Sequence, residues 1–321
     1  RPEYRRQGLV RKIMTQAFAD QHERGQCLAG LWASQAAIYQ RYGFAASGGL
    51  REYRVDTADI RLHPNFEVLP ISRFEGTEVL DAVREIYKQF IAQRTGYLHR
   101  GKSLWLNNVF TPPSEDGPAY VALAGSLEAP TGYLIYTLRA GRVAHRARAQ
   151  EICIRDFAWL DLPSYGSLWH YLARHDLVGR VVWSRAPLDD PAADVFVEPR
   201  LLHSQDLEGS WWRVVDVKTA LGQRGYDVEG SLVLAITEDE LAPWNNGRWR
   251  LDVGSGGAEV QATDAPADIE LSVRALSSLY SGHRSARHLA NAGLLAGEAL
   301  TVANLDRMMR TRFAPHCPDH Y

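Results

Sequence analysis

Segments with helical and strand-like spacing alternate along the whole 321-residue chain. Leu9, Ile13 and Phe18 share one face of a helix expected over residues 8–24. The next apolar run, Leu28–Ala33, has the length of a short strand. Because this alternation continues to the C-terminus, the sequence predicts a chain of α/β and α+β domains.

The order of the elements divides the chain into three blocks, residues 1–64, 65–204 and 205–321. The middle block combines an amphipathic helix with several strands. The third block begins with strands, one of them predicted at Val214–Lys218, and ends with helices. Within it, Asn246–Gly247 is typical of a two-residue type I′ hairpin turn.

Composition excludes several classes of protein. With 45% hydrophobic and 23% charged residues the chain can bury a sizeable core, and a net charge of −2 does not favour nucleic-acid binding. No apolar run approaches the ~18 residues that cross a bilayer. Cys27, Cys153 and Cys317 are too few and too scattered for a disulfide framework or a zinc site. We therefore expect a cytoplasmic protein with no metal, nucleic-acid or membrane partner.

The first helix opens with the segment Arg5-Arg6-Gln7-Gly8-Leu9-Val10. A glycine lets the backbone approach a ligand closely, and the free N–H groups at a helix start attract an anion such as a pyrophosphate. Arg5 and Arg6 would add charge-assisted hydrogen-bond donors. Taken alone, however, the segment is more typical of a basic surface helix.

A second motif follows the expected strand. Residues 31–44 contain the pattern Tyr39-x-x-x-Gly43-Phe44. Together with Arg5 and Gly8, this pattern resembles the GNAT N-acetyltransferases. Those proteins read Arg/Gln-x-x-Gly-x-Gly/Ala at one helix start and Tyr-x-x-x-Gly-Phe on a later short helix. Here a valine at position 10 replaces the last small residue of the first pattern.

The GNAT resemblance implies acetyl-CoA as the acetyl donor. The residues that it assigns to cofactor binding are Arg5, Arg6, Gly8, Leu9, Ser34 and Ile38. Tyr39 would act as the general acid that protonates the departing thiolate. The alternative for Tyr39 is a core aromatic residue on a short helix, and Tyr42 is a rival phenol with the wrong spacing to Gly43.

Over its full length the sequence resembles the enhanced intracellular survival (Eis) family, for example at Leu31–Ser34, Pro243–Asn245 and Phe313–Pro315. That resemblance implies a catalytic GNAT domain, a central GNAT-like domain without a CoA motif and a C-terminal sterol-carrier-like domain. Because the first block has only the later elements of a GNAT fold, an upstream part of that domain is expected. The acceptor would be an amine of an aminoglycoside-type polyamine or a lysine, and relatives form hexamers.

The Eis resemblance also gives the chain end a role. The α-carboxylate of Tyr321 would help to deprotonate the attacking amine, with Asp319 and His320 binding substrate. Phe313 and Pro318 make the tail unusually apolar and stiff for a frayed end. The alternative is a frayed tail without function.

A lipid or sterol carrier with a vestigial GNAT part is the competing function. Sterol-carrier folds can enclose an apolar tunnel. The candidate wall residues are Leu232, Leu234, Ile236, Leu271, Leu276 and Leu289. The same residues suit a packed core, so the sequence leaves both interpretations open.

Overall fold

The computed structural model describes residues 6–63, 67–141 and 149–320. The chain forms two compact units. One combines Arg1–Gly49 with Glu208–Pro315, and the other combines Leu50–Leu207 with His316–His320. The first unit is therefore built from two segments that lie far apart in the sequence.

Ten helices and fifteen strands occur in the described part of the chain, together with short 3₁₀ and π turns. The helices are α1 Leu9–Glu23, α2 Ala36–Tyr39, α3 Leu80–Ile91, α4 Lys102–Leu104, α5 Leu162–Ala173, α6 Ala192–Val195, α7 Val217–Gln223, α8 Val273–Tyr280, α9 Ala286–Asn291 and α10 Ala299–Met309. The strands are β1 Leu28–Leu31, β2 Ala45–Ala46, β3 Gly49–Asp56, β4 Ile71–Glu75, β5 Tyr120–Gly125, β6 Pro130–Ala140, β7 Gln150–Trp159, β8 Val178–Ala186, β9 Gln205–Glu208, β10 Trp211–Val214, β11 Gly230–Thr237, β12 Gly247–Gly254, β13 Gly257–Ala262, β14 Ile269–Ser272 and β15 Leu295–Gly297.

The first unit contains a three-stranded sheet in which β10 lies between β1 and β2. Both pairings are antiparallel, with Leu28 opposite Val214 and Ala46 opposite Trp211. A strand from the third sequence block thus completes a sheet that the first block begins. Phe18 of α1 and Phe44 lie with Trp211 in the core that this arrangement buries.

The first unit also contains a five-stranded sheet in the order β13-β12-β11-β14-β15. The strands β11 and β14 run parallel, and the other neighbours are antiparallel. Apolar residues of this sheet pack against residues of α7, α8, α9 and α10 in one core. All six candidate lipid-tunnel residues named above are buried in that core, each 3% exposed or less.

The second unit is built on a seven-stranded sheet in the order β4-β5-β6-β7-β8-β3-β9. Side chains alternate between the two faces of a strand. On β6, Leu134 and Tyr136 join the core that contains α5, whereas Tyr133 and Ile135 join the core that contains α3. The two helices therefore cover opposite faces of the sheet.

Two local predictions for the third block are wrong. The expected strand at Val214–Lys218 ends at Val214, because the Asp216 side chain accepts a hydrogen bond from Thr219 N and begins α7. Asn246–Gly247 does not form a two-residue hairpin turn. Asn246 follows a 3₁₀ turn with φ −67°, and β12 begins at the next residue.

Candidate functional site

The N-terminus of α1 has the features of an anion site. Gly8 caps the helix in the left-handed region, with φ +72°. Apart from its chain neighbours, no atom of the described residues lies within 4 Å of the place where a Cβ would stand. The first intrahelical bond runs from Lys12 N to Gly8 O, at 3.1 Å. The amides of Leu9, Val10 and Arg11 therefore have no intrahelical acceptor. Since the first turn, residues 9–12, has no acidic side chain, these amides suit a negatively charged group.

Tyr39 is the last residue of α2 and is half-buried. Its ring meets the ring of Phe44 edge-on, with centroids 6.1 Å apart, and packs on the core that includes Phe18 of α1. Among the residues that the structure describes, no hydrogen-bond partner reaches the phenol oxygen of Tyr39. The phenol is therefore available to a ligand.

The Tyr-x-x-x-Gly-Phe motif forms the end of α2. The helix continues as a 3₁₀ turn to Tyr42, and Gly43 caps it. Gly43 N donates to Gln40 O at 3.2 Å, and Phe44 N donates to Tyr39 O at 3.3 Å. Gly43 has φ +82°, and a Cβ there would stand 2.9 Å from Val273 Cγ1. Glycine reverses the chain at this point, which brings Phe44 back beside Tyr39.

A buried ion pair, which sequence reasoning missed, holds this turn. The Nη2 atom of Arg213 on β10 donates to both carboxylate oxygens of Asp239, at 2.7 and 2.8 Å. The Nε atom donates to Tyr42 O at 3.2 Å, and the guanidinium lies 4.6 Å from the centre of the Phe18 ring. Burial lowers the pKa of Arg213, and Asp239 opposes that shift. A lone arginine within the apolar run Trp211–Val215 was the signal available in the sequence.

In the second unit, Asp319 anchors the tail. Arg100 Nε donates to both oxygens of Asp319 at 3.0 Å, and its Nη1 and Nη2 atoms donate to Asp156 at 2.5 and 3.1 Å. The guanidinium lies 4.2 Å from the ring centre of Tyr87 and 4.6 Å from that of Trp105. Burial raises the pKa of Asp319, and Arg100 opposes that shift. This contact was also missed.

The predicted site residues fall into three groups. The first unit brings together α1, the strand after it and α2, and the residues that it places there are Arg6, Gly8, Leu9, Ser34, Ile38 and Tyr39. Asp319 and His320 belong to the second unit, where His320 is exposed. Arg5 and Tyr321 lie outside the described residues.

Three family models match the chain. Two of them describe an acetyltransferase (GNAT) domain. One matches residues 1–47, and the other matches residues 96–226. The sterol carrier protein domain matches residues 217–318. The expected order of GNAT, GNAT-like and sterol-carrier-like parts is therefore confirmed.

An uncharacterized N-acetyltransferase of Streptomyces avermitilis is 31% identical over 340 residues, which cover 99% of this chain and 78% of that protein. The N-acetyltransferase Eis of Mycobacterium tuberculosis is 28% identical over 306 residues, 92% of this chain and 71% of that protein. The chain belongs to the Eis family of GNAT N-acetyltransferases. The family assignment made from the motifs is confirmed, and the chain is an acetyltransferase.

The fold agrees with a solved structure. A GCN5-related N-acetyltransferase from Anabaena variabilis superposes with a TM-score of 0.87 at 23% identity, over 100% of this chain and 79% of that one. This Eis-family chain thus has the mixed α/β fold that the sequence predicted.

Two further observations concern the rest of the described chain. Residues 6–63, 67–141 and 149–320 contain no group of three or more His, Cys, Asp or Glu side chains arranged to hold a metal ion. None of the helices in those ranges is long and apolar enough to span a bilayer.

Proposed function

We propose that this Eis-family protein transfers the acetyl group of acetyl-CoA directly to a primary amine. The observation that carries the proposal is the arrangement in the first unit, where the open start of α1 and the unpartnered phenol of Tyr39 share one folded core. An anion-binding helix start and a phenol are two of the groups that such a transfer needs from the protein.

The start of α1 is proposed to hold the pyrophosphate of the donor. The amides of Leu9 and Val10, which have no intrahelical acceptor, would supply N–H donors. Among the described residues none crowds Gly8, so a ligand could approach the backbone there. Arg5 and Arg6 would add positive charge at the same end. The exposed side chains of Ser34 and Ile38 would contact the rest of the donor.

Tyr39 is proposed as the general acid. The amine nitrogen forms a bond to the acetyl carbon while the carbon–sulfur bond breaks, and the phenol of Tyr39 gives its proton to the departing sulfur. A positioned phenol can act as a general acid toward a departing thiolate. The α-carboxylate of Tyr321 would take the proton that the amine releases.

The acceptor is proposed to be an aminoglycoside-type polyamine or a lysine side chain, bound with help from Asp319 and His320. Asp319 is buried against Arg100, whereas His320 is exposed.

We further propose that the enzyme is a cytoplasmic homo-oligomer. Its three sequence blocks are proposed to be separate domains, divided after residues 64 and 204. Mass photometry of the purified protein measures the oligomeric state.

The central test measures thiol release from acetyl-CoA in the presence of aminoglycosides, polyamines and lysine peptides. Tyr39→Phe should lower kcat by about 10²-fold or more, because only the acid is lost, while the Kd for CoA stays within about twofold. Tyr42→Phe is the matched control, since Tyr42 is also half-buried and lies in the next turn. Absence of thiol release with every amine would refute the proposed acetyl transfer. Equal kcat values for Tyr39→Phe and wild type would refute the role of Tyr39 as the general acid.

The role of the chain end is tested separately. Removing residues 319–321 should lower kcat, and removing Tyr321 alone would move the terminal carboxylate by one residue. If both truncated proteins turn over like the full chain, the carboxylate takes no part in the transfer.

A further inference from the structure

The turn that follows Tyr39 is held by side chains from a distant part of the sequence. Two successive backbone carbonyls of this turn accept hydrogen bonds from buried groups. Arg213 Nε donates to Tyr42 O at 3.2 Å, and Ser277 Oγ donates to Gly43 O, also at 3.2 Å. The two donors lie 171 and 234 residues further along the chain than their acceptors. The position of the turn therefore depends on the third sequence block.

Ser277 joins three segments through one hydroxyl group. It lies on α8 and is 0% exposed. Its hydrogen is shared between Gly43 O and, at 2.8 Å, Val273 O in the preceding turn of α8. Its oxygen accepts from Val214 N of β10 at 3.0 Å. Loss of this hydroxyl would release Gly43 O and leave a buried amide without this acceptor.

Arg213 is fixed by a buried network of its own. Its guanidinium pairs with Asp239, and the two side chains are 0% and 2% exposed. Asp239 also accepts from Asn245 Nδ2 at 2.9 Å and from Ala242 N at 3.1 Å. Because a guanidinium has donors on three nitrogens, Arg213 bonds Asp239 and Tyr42 O at the same time. It therefore holds Tyr42 O from a fixed position.

Packing carries this restraint to the Tyr39 ring. The Arg213 guanidinium lies 4.6 Å from the centre of the Phe18 ring, and the centres of the Phe18 and Phe44 rings are 6.0 Å apart. Phe44 in turn meets the Tyr39 ring edge-on. Closely packed side chains transmit a displacement from one to the next. A shift of the turn would therefore move Tyr39 as well.

The phenol oxygen of Tyr39 forms no hydrogen bond with any residue that the structure describes. Its position is therefore set by α2, by the turn and by the contact with Phe44. A general acid must lie within hydrogen-bond reach of the group that it protonates, and a misplacement of about 1 Å can slow a reaction by about 10²-fold. The groups that hold the turn thus bear on catalysis.

We propose that Arg213 and Ser277 are positioning residues, which hold the end of α2 so that the phenol of Tyr39 reaches the departing sulfur. This inference rests on the proposed role of Tyr39 as the general acid. Ser277 lies in the segment that matches the sterol carrier protein domain, whereas Tyr39 lies in a GNAT match. The sterol-carrier-like segment thus contributes to acetyl transfer by fixing the acid.

Ser277→Ala tests the hydroxyl contact in the full chain. Isothermal titration with CoA gives the Kd and the number of intact binding sites. The kcat for thiol release from acetyl-CoA is then expressed per site, so that unfolded protein does not lower it. We expect kcat to fall by about fivefold or more, because the acid is displaced, while the Kd for CoA stays within about twofold.

Ser278→Ala is the matched control. Ser278 follows on the same helix, is 6% exposed and donates to Ala46 O at 2.8 Å. The control thus loses one buried hydrogen bond outside the turn, and its kcat should stay within about twofold of wild type. An equal loss of kcat in the two variants, or an unchanged kcat for Ser277→Ala, overturns the proposal.

A double-mutant cycle separates positioning from general destabilisation. In the Tyr39→Phe protein the acid is gone, so Ser277→Ala should lower kcat by less than about twofold. The same factor in both backgrounds would show that Ser277 acts independently of Tyr39, which overturns the proposal. If Tyr39→Phe alone leaves kcat unchanged, the acid role falls together with this inference. If Tyr39→Phe lowers kcat and Ser277→Ala does not, only this inference falls.

A second variant keeps the test decisive if Ser277→Ala does not fold. Arg213→Lys retains a positive charge beside Asp239 but has one ammonium group in place of the three-nitrogen fork that also reaches Tyr42 O. Its kcat per CoA site should fall by about fivefold or more, with the Kd for CoA within about twofold. A kcat within about twofold of wild type overturns the proposal.

Discussion

Asp190 is a buried carboxyl group whose titration should control the stability of the second unit. Its side chain is sealed in the core, and the residue is 4% exposed. Oδ1 accepts from Tyr165 Oη at 2.8 Å and from Ala192 N at 3.0 Å. Burial raises the pKa from 3.8 to about 7, and these hydrogen bonds only partly oppose the shift.

The sign of the effect follows from proton linkage. Between pH 3.8 and about 7, the folded state holds a proton on Asp190 that the unfolded state has released. The free energy of unfolding therefore falls as the pH rises through that window. At 1.36 kcal/mol for each pKa unit, the loss between pH 4 and pH 8 is about 4 kcal/mol.

The perturbation is Asp190→Asn, which keeps a hydrogen-bond acceptor for Tyr165 and Ala192 but cannot ionise. Urea unfolding, followed by tryptophan fluorescence from pH 4 to pH 8, gives the free energy of unfolding at each pH. The free energy of unfolding of the wild type minus that of the variant should fall by about 4 kcal/mol as the pH rises. The exposed Asp194→Asn serves as the control and should leave the wild-type slope unchanged. Parallel curves for wild type and Asp190→Asn would refute the reasoning.

Three further predictions concern the first unit. Arg213→Met leaves the buried Asp239 carboxylate without its arginine and should lower the free energy of unfolding in urea by about 3–5 kcal/mol. Adding Asp239→Asn should recover part of that loss. A loss under about 1 kcal/mol would contradict the prediction. Gly43→Ala should cost about 1–3 kcal/mol, because alanine at φ +82° is strained and its Cβ meets Val273; an unchanged Tm would disprove it. Burial lowers the pKa of His283 from 6.5 to about 4, so stability should fall as the pH drops through that window. His283→Gln should remove that fall, and an identical pH profile would show that His283 does not cause it.

Features set by neighbouring residues could be predicted from the sequence. The expected helix over residues 8–24 is observed as Leu9–Glu23, and the short apolar strand begins at Leu28 as expected. Gly43 ends the short helix because only glycine adopts φ +82° without strain, and that requirement is visible in the motif. Local spacing and backbone freedom suffice for such features.

Features that join distant segments could not be predicted. The insertion of β10 between β1 and β2 depends on pairing across about 180 residues of chain, for which no local pattern exists. The strand expected at Val214–Lys218 failed for a related reason. From the sequence, Asp216 could either cap a helix or end a strand. In the folded chain it caps α7.

The candidate site shows the same division. The sequence by itself was enough to assign the family, to place the helix start at Gly8 and to propose Tyr39 as the acid, because short motifs carry this information. Only the tertiary structure decided that Arg213 pairs with Asp239 beside the turn that follows Tyr39, and that Arg100 holds Asp319. Which charges are paired depends on distances between residues far apart in the chain, and those distances exist only after folding.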